Sequence, residues 1–286
     1  MSFRRLNLIF TLVILALAAG FFWYYRHTHP KYIPPTPKPE INVTIIPGWN
    51  LRQIADDWVK KGLIKNSDEF YARLGQPAFN YVAAEKSAPV LSFISSSTDL
   101  VELFSDKPDG VSYEGYLFPD TYRVYADAEP EDILKKIFVN LENKISPEMR
   151  ETARERGMNI HQLLTLASIV EKEAPSGADM GKVADIFWRR LKKNWALQSC
   201  ATVNYITGKK DRAVTAEDKE IDSLFNTYKY PGLPPGPISN PSLAAIQAAL
   251  SPEENDFWFF MSDNDGATHY ARTLEEHNAN VRKYLR

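Results

Sequence analysis

Two carboxylates, Glu171 and Glu173, close a run that is otherwise largely apolar: Ile160-His161-Gln162-Leu163-Leu164-Thr165-Leu166-Ala167-Ser168-Ile169-Val170-Glu171-Lys172-Glu173. At helical spacing, Glu171 falls in line with Ile160, Leu164 and Ala167, so its carboxyl group projects from an apolar stripe. Glu173 lies on nearly the opposite side, near Leu166 and Ile169, and is the second candidate. A helix apolar around most of its circumference sits inside a domain. Burying a carboxylate there costs several kcal/mol unless it is paired or protonated, and the group responds with a raised pKa. A carboxylic acid kept protonated near neutral pH is suited to protonating the leaving oxygen of a glycosidic bond. The bland alternative for Glu171 is an ion pair with Lys172 neighbours or with an arginine of the Trp188-Arg189-Arg190 segment.

Other polar residues are candidates for holding a sugar. Glu114 could bond hydroxyls or balance developing positive charge, whereas Asp120, following Pro119, suits a turn better. Gln198, Ser199, Thr202, Asn204 and Tyr205 form a polar and aromatic cluster, with a hairpin or strand edge as its structural alternative. Ser239 and Asn240 end a stiff proline-rich loop, 232–241, and could present a hydroxyl and an amide; simple turn chemistry is the alternative. Cys200, the single cysteine, excludes an internal disulfide and a cysteine-rich zinc site, and is read as a small buried residue. His269 and His277 with Glu275 and Glu276 lack compact ligand spacing, so no metal and no cofactor is expected. The basic run Arg189, Arg190, Lys192 and Lys193 reads as a solvated helix face.

The elements that must position these residues are mostly helices. Asn159 caps the run from His161 to Glu173, Asp132–Lys144 is amphipathic, and Pro147 opens a helix stopping near Gly157. Asp179–Lys193, Ser242–Leu250 and Leu274–Leu285 complete the helical set, with Phe257–Ser262 as a strand. Upstream, Ile41–Ile46 alternates in strand fashion, Pro47-Gly48 turns, Asn50 caps a helix through Trp58, and Ser67 caps a second helix with Phe70, Tyr71 and Leu74. Residues 76–103 carry no clear signal. The fold class is α+β, with helices dominating the second half.

The N-terminus carries a different signal. Arg4 and Arg5 precede an uncharged run from Leu6 to Tyr25, about 20 residues and long enough to cross the ~30 Å hydrocarbon core. It ends in Phe21-Phe22-Trp23-Tyr24-Tyr25, an aromatic belt. A cleaved signal peptide is the rival, because Ala16-Leu17-Ala18 resembles a cleavage site, but the apolar run continues past it. The expected layout is a cytoplasmic stub (1–5), a transmembrane anchor (6–25), a proline-rich linker (26–40), a small module (41–110) and a larger extracytoplasmic domain (111–286). A net charge of -2 argues against nucleic acid as a partner.

Five blocks in order carry a specific resemblance: EGYLFPDTY (114–122), LASIVEKEA (166–174), LQSCATVNY (197–205), FNTYKYPGLPPGPISNP (225–241) and HYARTLEEH (269–277). Together they are similar to the endolytic murein transglycosylases, the YceG-like family, and the likeness covers essentially the whole chain. The stretch VTIIPGWNLRQIADDWVKKGLI resembles a LysM-type glycan-binding module. The resemblance implies that Glu171 is the catalytic acid and base, with Asn226, Thr227 and Tyr228 in the substrate groove. It implies cleavage between N-acetylmuramic acid and N-acetylglucosamine with closure of a 1,6-anhydro ring, on nascent strands near the inner membrane. It also implies peptidoglycan synthases as partners. A non-catalytic wall-binding scaffold and a muramidase-type hydrolase are the alternatives. Many relatives carry Asp-Pro where this chain has Cys200-Ala201.

Overall fold

The computed structural model describes residues 3–29, 37–81, 83–174, 177–209 and 214–285. It divides into two units, Met1–Pro39 and Glu40–Arg286. The first contains one long helix, α1 (Phe3–Thr28). Within it, Asn7–Thr28 has a mean hydropathy of 2.1 and is unburied throughout, so it is long and apolar enough to cross a membrane. The helix runs three residues into the expected linker, and most of the remaining linker lies outside the described residues.

The second unit begins with β1 (Glu40–Thr44), α2 (Leu51–Lys60) and α3 (Ser67–Leu74). Asn50 caps α2 in a reciprocal box with Gln53, as the sequence suggested. The cap of α3 is Asn66, one residue before the expected Ser67, because its carbonyl oxygen reaches the Glu69 N–H. Residues 76–103, silent in sequence, hold a 3-10 turn at Ile94–Ser96 before α4 (Thr98–Phe104). The partner of β1 is β2 (Thr121–Tyr125), antiparallel, with Val43 opposite Tyr122 and Ile41 opposite Val124. Alternation puts Val43, Tyr122 and Val124 into the core. This ladder joins residues on both sides of the anticipated division at 110/111.

Helices α5 (Pro130–Lys144) and α6 (Pro147–Glu155) each open on a proline whose missing N–H falls among the orphan donors of a first turn. Then come α7 (Ile160–Glu173), α8 (Met180–Lys192), α9 (Cys200–Thr207), the short α10 (Ala216–Lys219) and α11 (Leu243–Leu250). A hairpin of β3 (Phe259–Ser262) and β4 (Thr268–Ala271) precedes α12 (Leu274–Tyr284). The architecture is helix-rich α+β. Helix α7 is its axis: eleven of its residues are buried, from Ile160 to Glu171 with Gln162 excepted, and α8 and α11 pack along it.

Among the described glycines, Gly115 leaves the least room for a Cβ. Gly115 has φ +86°, and a Cβ there would lie 2.4 Å from two Pro237 side-chain carbons. The positive φ costs a residue with a side chain about 1–2 kcal/mol, and the overlap adds about 1–3 kcal/mol. Gly115→Ala should therefore lower the thermal unfolding midpoint by on the order of 10 °C, measured by circular dichroism. An unchanged midpoint would mean that the Pro237 loop moves aside freely.

Candidate active site

The C-terminal turn of α7 delivers its two carboxylates into different surroundings. Glu171 is buried, at 6% exposure. Its Oε2 accepts from the Ser242 N–H at 2.9 Å and the Ser242 hydroxyl at 2.6 Å, so it sits at the N-cap of α11. The Pro47-Gly48-Trp49 turn closes over it: a Cβ built on Gly48, whose φ is +76°, would be 3.5 Å from Glu171 Cγ. The bland alternative for Glu171 was an arginine partner from α8. Arg189 instead pairs with Asp185, and Arg190 donates to main-chain carbonyls.

Glu173 is partly exposed. Its Oε1 accepts from the Ser199 hydroxyl at 2.5 Å and from the Ala201 N–H at 3.4 Å, in the first turn of α9. Most of the LQSCATVNY residues gather on this side. Gln198 is exposed, with φ 53°, and its N–H donates to the Thr227 carbonyl. Ser199 is buried, its N–H donating to Thr227 Oγ1, and Thr227 Oγ1 meets Thr202 Oγ1 at 2.9 Å. Tyr228 is half-buried, its hydroxyl 3.0 Å from Cys200 Sγ. Burial pushes both the Tyr228 hydroxyl and the Cys200 thiol up, with Glu173 nearby adding to each. Of the anticipated groove residues, Gln198 and Tyr228 face solvent beside Glu173. Asn226 is buried and spends its amide on the Lys219 and Ile221 carbonyls and the Tyr228 N–H, fixing the loop that presents Tyr228.

A second polar cluster lies under the Pro47–Trp49 turn. Glu114, at 1% exposure, accepts from the Leu51 N–H through both oxygens, at 3.0 and 3.2 Å, and from Asn240 Nδ2 at 3.1 Å. The Tyr205 hydroxyl lies beside the same carboxyl group but makes no well-aligned hydrogen bond. Burial pushes Glu114 up to about 7, against the opposing pull of the Leu51 N–H, Tyr205 and Arg52. Asn240 accepts from the Leu117 N–H and donates to the Trp49 carbonyl. Ser239 donates to the Ser168 carbonyl and is fully buried. Glu114, Ser239, Asn240 and Tyr205 are thus enclosed, and the first three hold the turn and the proline-rich loop in place. Asp120 accepts from the Thr121 N–H, next along the chain, and from Asn140, in keeping with a turn.

Three participants escaped sequence reasoning. Ser242 was visible only as a helix start, and Gly48 only as half of a turn. Arg190, expected on a solvated face, is 5% exposed, because α8 turns it inward with Ala184 and Phe187 while Lys192 stays in water. Its charge is felt by Tyr228 and Glu173, and burial lowers it to about 10. His269 meets Asp263 at 2.8 Å and stacks on Tyr284, while His277 stacks on Phe259. A separate cavity of about 540 Å³ opens at the other end of α7, lined by Met158, His161, Trp188, Leu233 and Pro235 among others. It contains neither glutamate, and the chemistry of the α7 C-terminus decides between the two places.

Known proteins resemble this arrangement over most of its length. An endolytic murein transglycosylase of Bacillus subtilis is 36% identical over 208 residues, which is 68% of this chain and 58% of that protein. One from Streptococcus pneumoniae is 31% identical over 255 residues, 85% of this chain and 44% of that protein. The chain therefore spans about half the length of these relatives. A crystal structure of a yceG-like protein from Listeria monocytogenes superposes with a TM-score of 0.69 at 33% identity, covering 85% of this chain and 76% of that one. The YceG-like sequence profile itself runs through residues 28–283, taking in the whole of α7 and both of its polar surroundings, and the chain belongs to the YceG-like family.

Proposed function

We propose that this chain is a lytic transglycosylase that cuts peptidoglycan glycan strands internally, with Glu173 as the acid and then the base. The observation that carries the assignment is the contrast at the end of α7. Glu173 reaches a partly open surface with Gln198 and Tyr228 at its edge, whereas Glu171 is enclosed beneath Gly48 and bound to Ser242. The family resemblance named the SIVE glutamate, Glu171; accessibility to a polymer favours its neighbour two residues on. Glu171 then serves by pinning the N-terminus of α11 and the Pro47–Trp49 turn.

In this scheme protonated Glu173 gives its proton to the oxygen between C1 of N-acetylmuramic acid and the next N-acetylglucosamine. The C1–O bond breaks and the leaving sugar departs with a 4-hydroxyl. The muramic acid's own 6-hydroxyl attacks C1 and passes its proton to the Glu173 carboxylate, restoring the acid. The product ends in a 1,6-anhydro ring and no water is consumed. An internal nucleophile at high effective concentration makes a second carboxylate unnecessary. The Ser199 hydroxyl and the Ala201 N–H orient the carboxyl group and support its ionised form after the first transfer.

The apolar span Asn7–Thr28 supports a single-pass anchor in the inner membrane, with the N-terminus inside and Glu40–Arg286 outside. The order β1-α2-α3 with β2 returning beside β1 supports a LysM-like reading of this module, its closing strand displaced to Thr121–Tyr125. Peptidoglycan synthases fit as neighbours of an enzyme tethered where strands emerge.

Mass spectrometry of purified peptidoglycan digested with the full chain in detergent tests the reaction. Expected products are muropeptides one water lighter than ordinary ones. Ordinary reducing ends would indicate a hydrolase, and glycan binding without cleavage a scaffold.

A further inference from the structure

Four positions before Ser199, the partner of Glu173, stands an exposed tryptophan. Trp195 follows α8 in a turn made by Asn194 at φ 52° and sealed by the Trp195 N–H donating to the Arg190 carbonyl at 2.8 Å. Trp195 is 38% exposed, high for an indole. The ring is nonetheless held. Trp258 lies 5.5 Å away at 43° and Phe259 5.8 Å away edge-on. The buried Arg190 guanidinium stands 5.6 Å from the Trp195 ring and 5.5 Å from Phe259. The same guanidinium donates to the Leu197 and Trp258 carbonyls at 2.5 and 2.6 Å, tying the Trp195–Leu197 segment to the β3 hairpin.

We infer that Trp195, backed by Trp258, Phe259 and Arg190, is a stacking platform for the glycan strand, a distal sugar subsite continuous with the Glu173 surface. The inference rests on the proposed glycan-cutting function and specifies where the strand runs. Three observations join to carry it. First, the platform is contiguous with the site: Ser199 is four positions on from Trp195, at most about 14 Å of chain, and Arg190, 5.6 Å from the Trp195 ring, also feels the charges of Tyr228 and Glu173. Second, the chemistry fits a sugar. A pyranose presents a face of C–H bonds with slight positive charge, which an aromatic face of negative quadrupole attracts while hydroxyls stay in water. Third, a ring fixed by neighbours loses little freedom on binding, so its contact converts efficiently into affinity.

A platform at a distance from the bond being cut discriminates by length. A ligand confined to the Glu173 surface does not reach it; a longer strand does. The test is equilibrium binding of peptide-free glycan, a disaccharide and an octasaccharide, to the full chain in detergent in the Glu171→Gln/Glu173→Gln background, which blocks turnover. Trp195→Ala should weaken octasaccharide binding about fivefold to tenfold, the size expected for one aromatic stacking contact, and leave the disaccharide unchanged. Trp195→Tyr, which keeps a ring, should recover most of the loss. Unchanged octasaccharide affinity in a parent that binds it would overturn the platform alone. Equal loss for both lengths with a lowered unfolding midpoint would overturn it in favour of a packing role. A parent that binds no glycan would overturn both the platform and the function on which it rests.

Discussion

Glu173→Gln should reduce the release of anhydro-ended fragments by about 10²–10⁴-fold, the range expected when a positioned acid and base is lost. Glu171→Gln should retain turnover within about tenfold, because general-acid chemistry would be untouched and the amide oxygen can still accept from Ser242. The substitutions are near-isosteric, so the contrast between them isolates proton transfer from packing. Glutamine at 173 can also keep an acceptor toward the Ser199 hydroxyl and the Ala201 N–H, which preserves the local geometry seen here. The loss should therefore fall on kcat more than on KM, as it does when an interaction made only in the transition state is removed. The measurement is turnover of purified glycan strands by both variants beside the parent, with thermal unfolding as the control for folding. If Glu171→Gln is the inactive variant and Glu173→Gln turns over, the assignment reverses and the Pro47–Trp49 turn must open to admit substrate.

The ambiguity between those two glutamates shows what periodicity conveys and what it does not. The pattern from Ile160 to Glu173 identified an interior helix, and Asn159 its start, because apolar spacing and a cap residue are local properties. The same pattern placed Glu171 on the core stripe. Being on the core stripe means being covered, and what covers Glu171 comes from residues 48 and 242, far apart in sequence. The β1 partner was hidden for a similar reason. TYRVY alternates well, but it follows Pro119-Asp120 and lies more than 75 residues from Glu40–Thr44, so no hairpin signal marks it. Residues 200–207, CATVNYIT, are rich in β-branched side chains, which favoured an edge-strand alternative. Tertiary contacts override that preference: Thr202 bonds the Ser199 carbonyl and Thr227, and Val203 and Tyr205 are buried. Charge runs were the least legible feature, since Arg190 and Lys192 look alike in sequence and differ by which side of α8 they take.

Removing the Glu114 carboxyl group should destabilise the fold more than any other single polar change at this site. Glu114→Ala leaves the Leu51 N–H without its buried partner, at about 1–3 kcal/mol, and frees one Asn240 Nδ2 hydrogen while the bond from Nδ2 to the Trp49 carbonyl stays. Glu114→Gln keeps an acceptor for Leu51 but turns a donor toward the Asn240 amide or Tyr205, and separates charge from shape. Its effect should be read through pH. Burial raises Glu114 to about 7 in the fold from the 4.5 of a freely solvated glutamate. The folded protein therefore binds a proton between these values that the unfolded chain releases. Below about pH 4.5 both states are protonated and the group makes no demand. As pH rises toward 7, stability falls by up to about 1.4 kcal/mol per pH unit, and it levels above 7 once both states are ionised. The charged and titratable neighbours are Arg52 on α2, which opposes the rise, Tyr71 on α3 and Tyr205 on α9. Denaturant unfolding of the parent and Glu114→Gln at pH 5, 6, 7 and 8 should give curves that diverge across that window, with the parent losing stability and the variant flatter. Parallel curves would show that Glu114 keeps its charge throughout and that Asn240 and the Leu51 N–H hold it ionised. The consequence reaches the Pro47–Trp49 turn, because Asn240 grips Trp49 and stands two residues before Ser242, the partner of Glu171. A protein that gains stability as Glu114 takes up its proton is one whose turn above Glu171 is tightest on the acid side of neutrality.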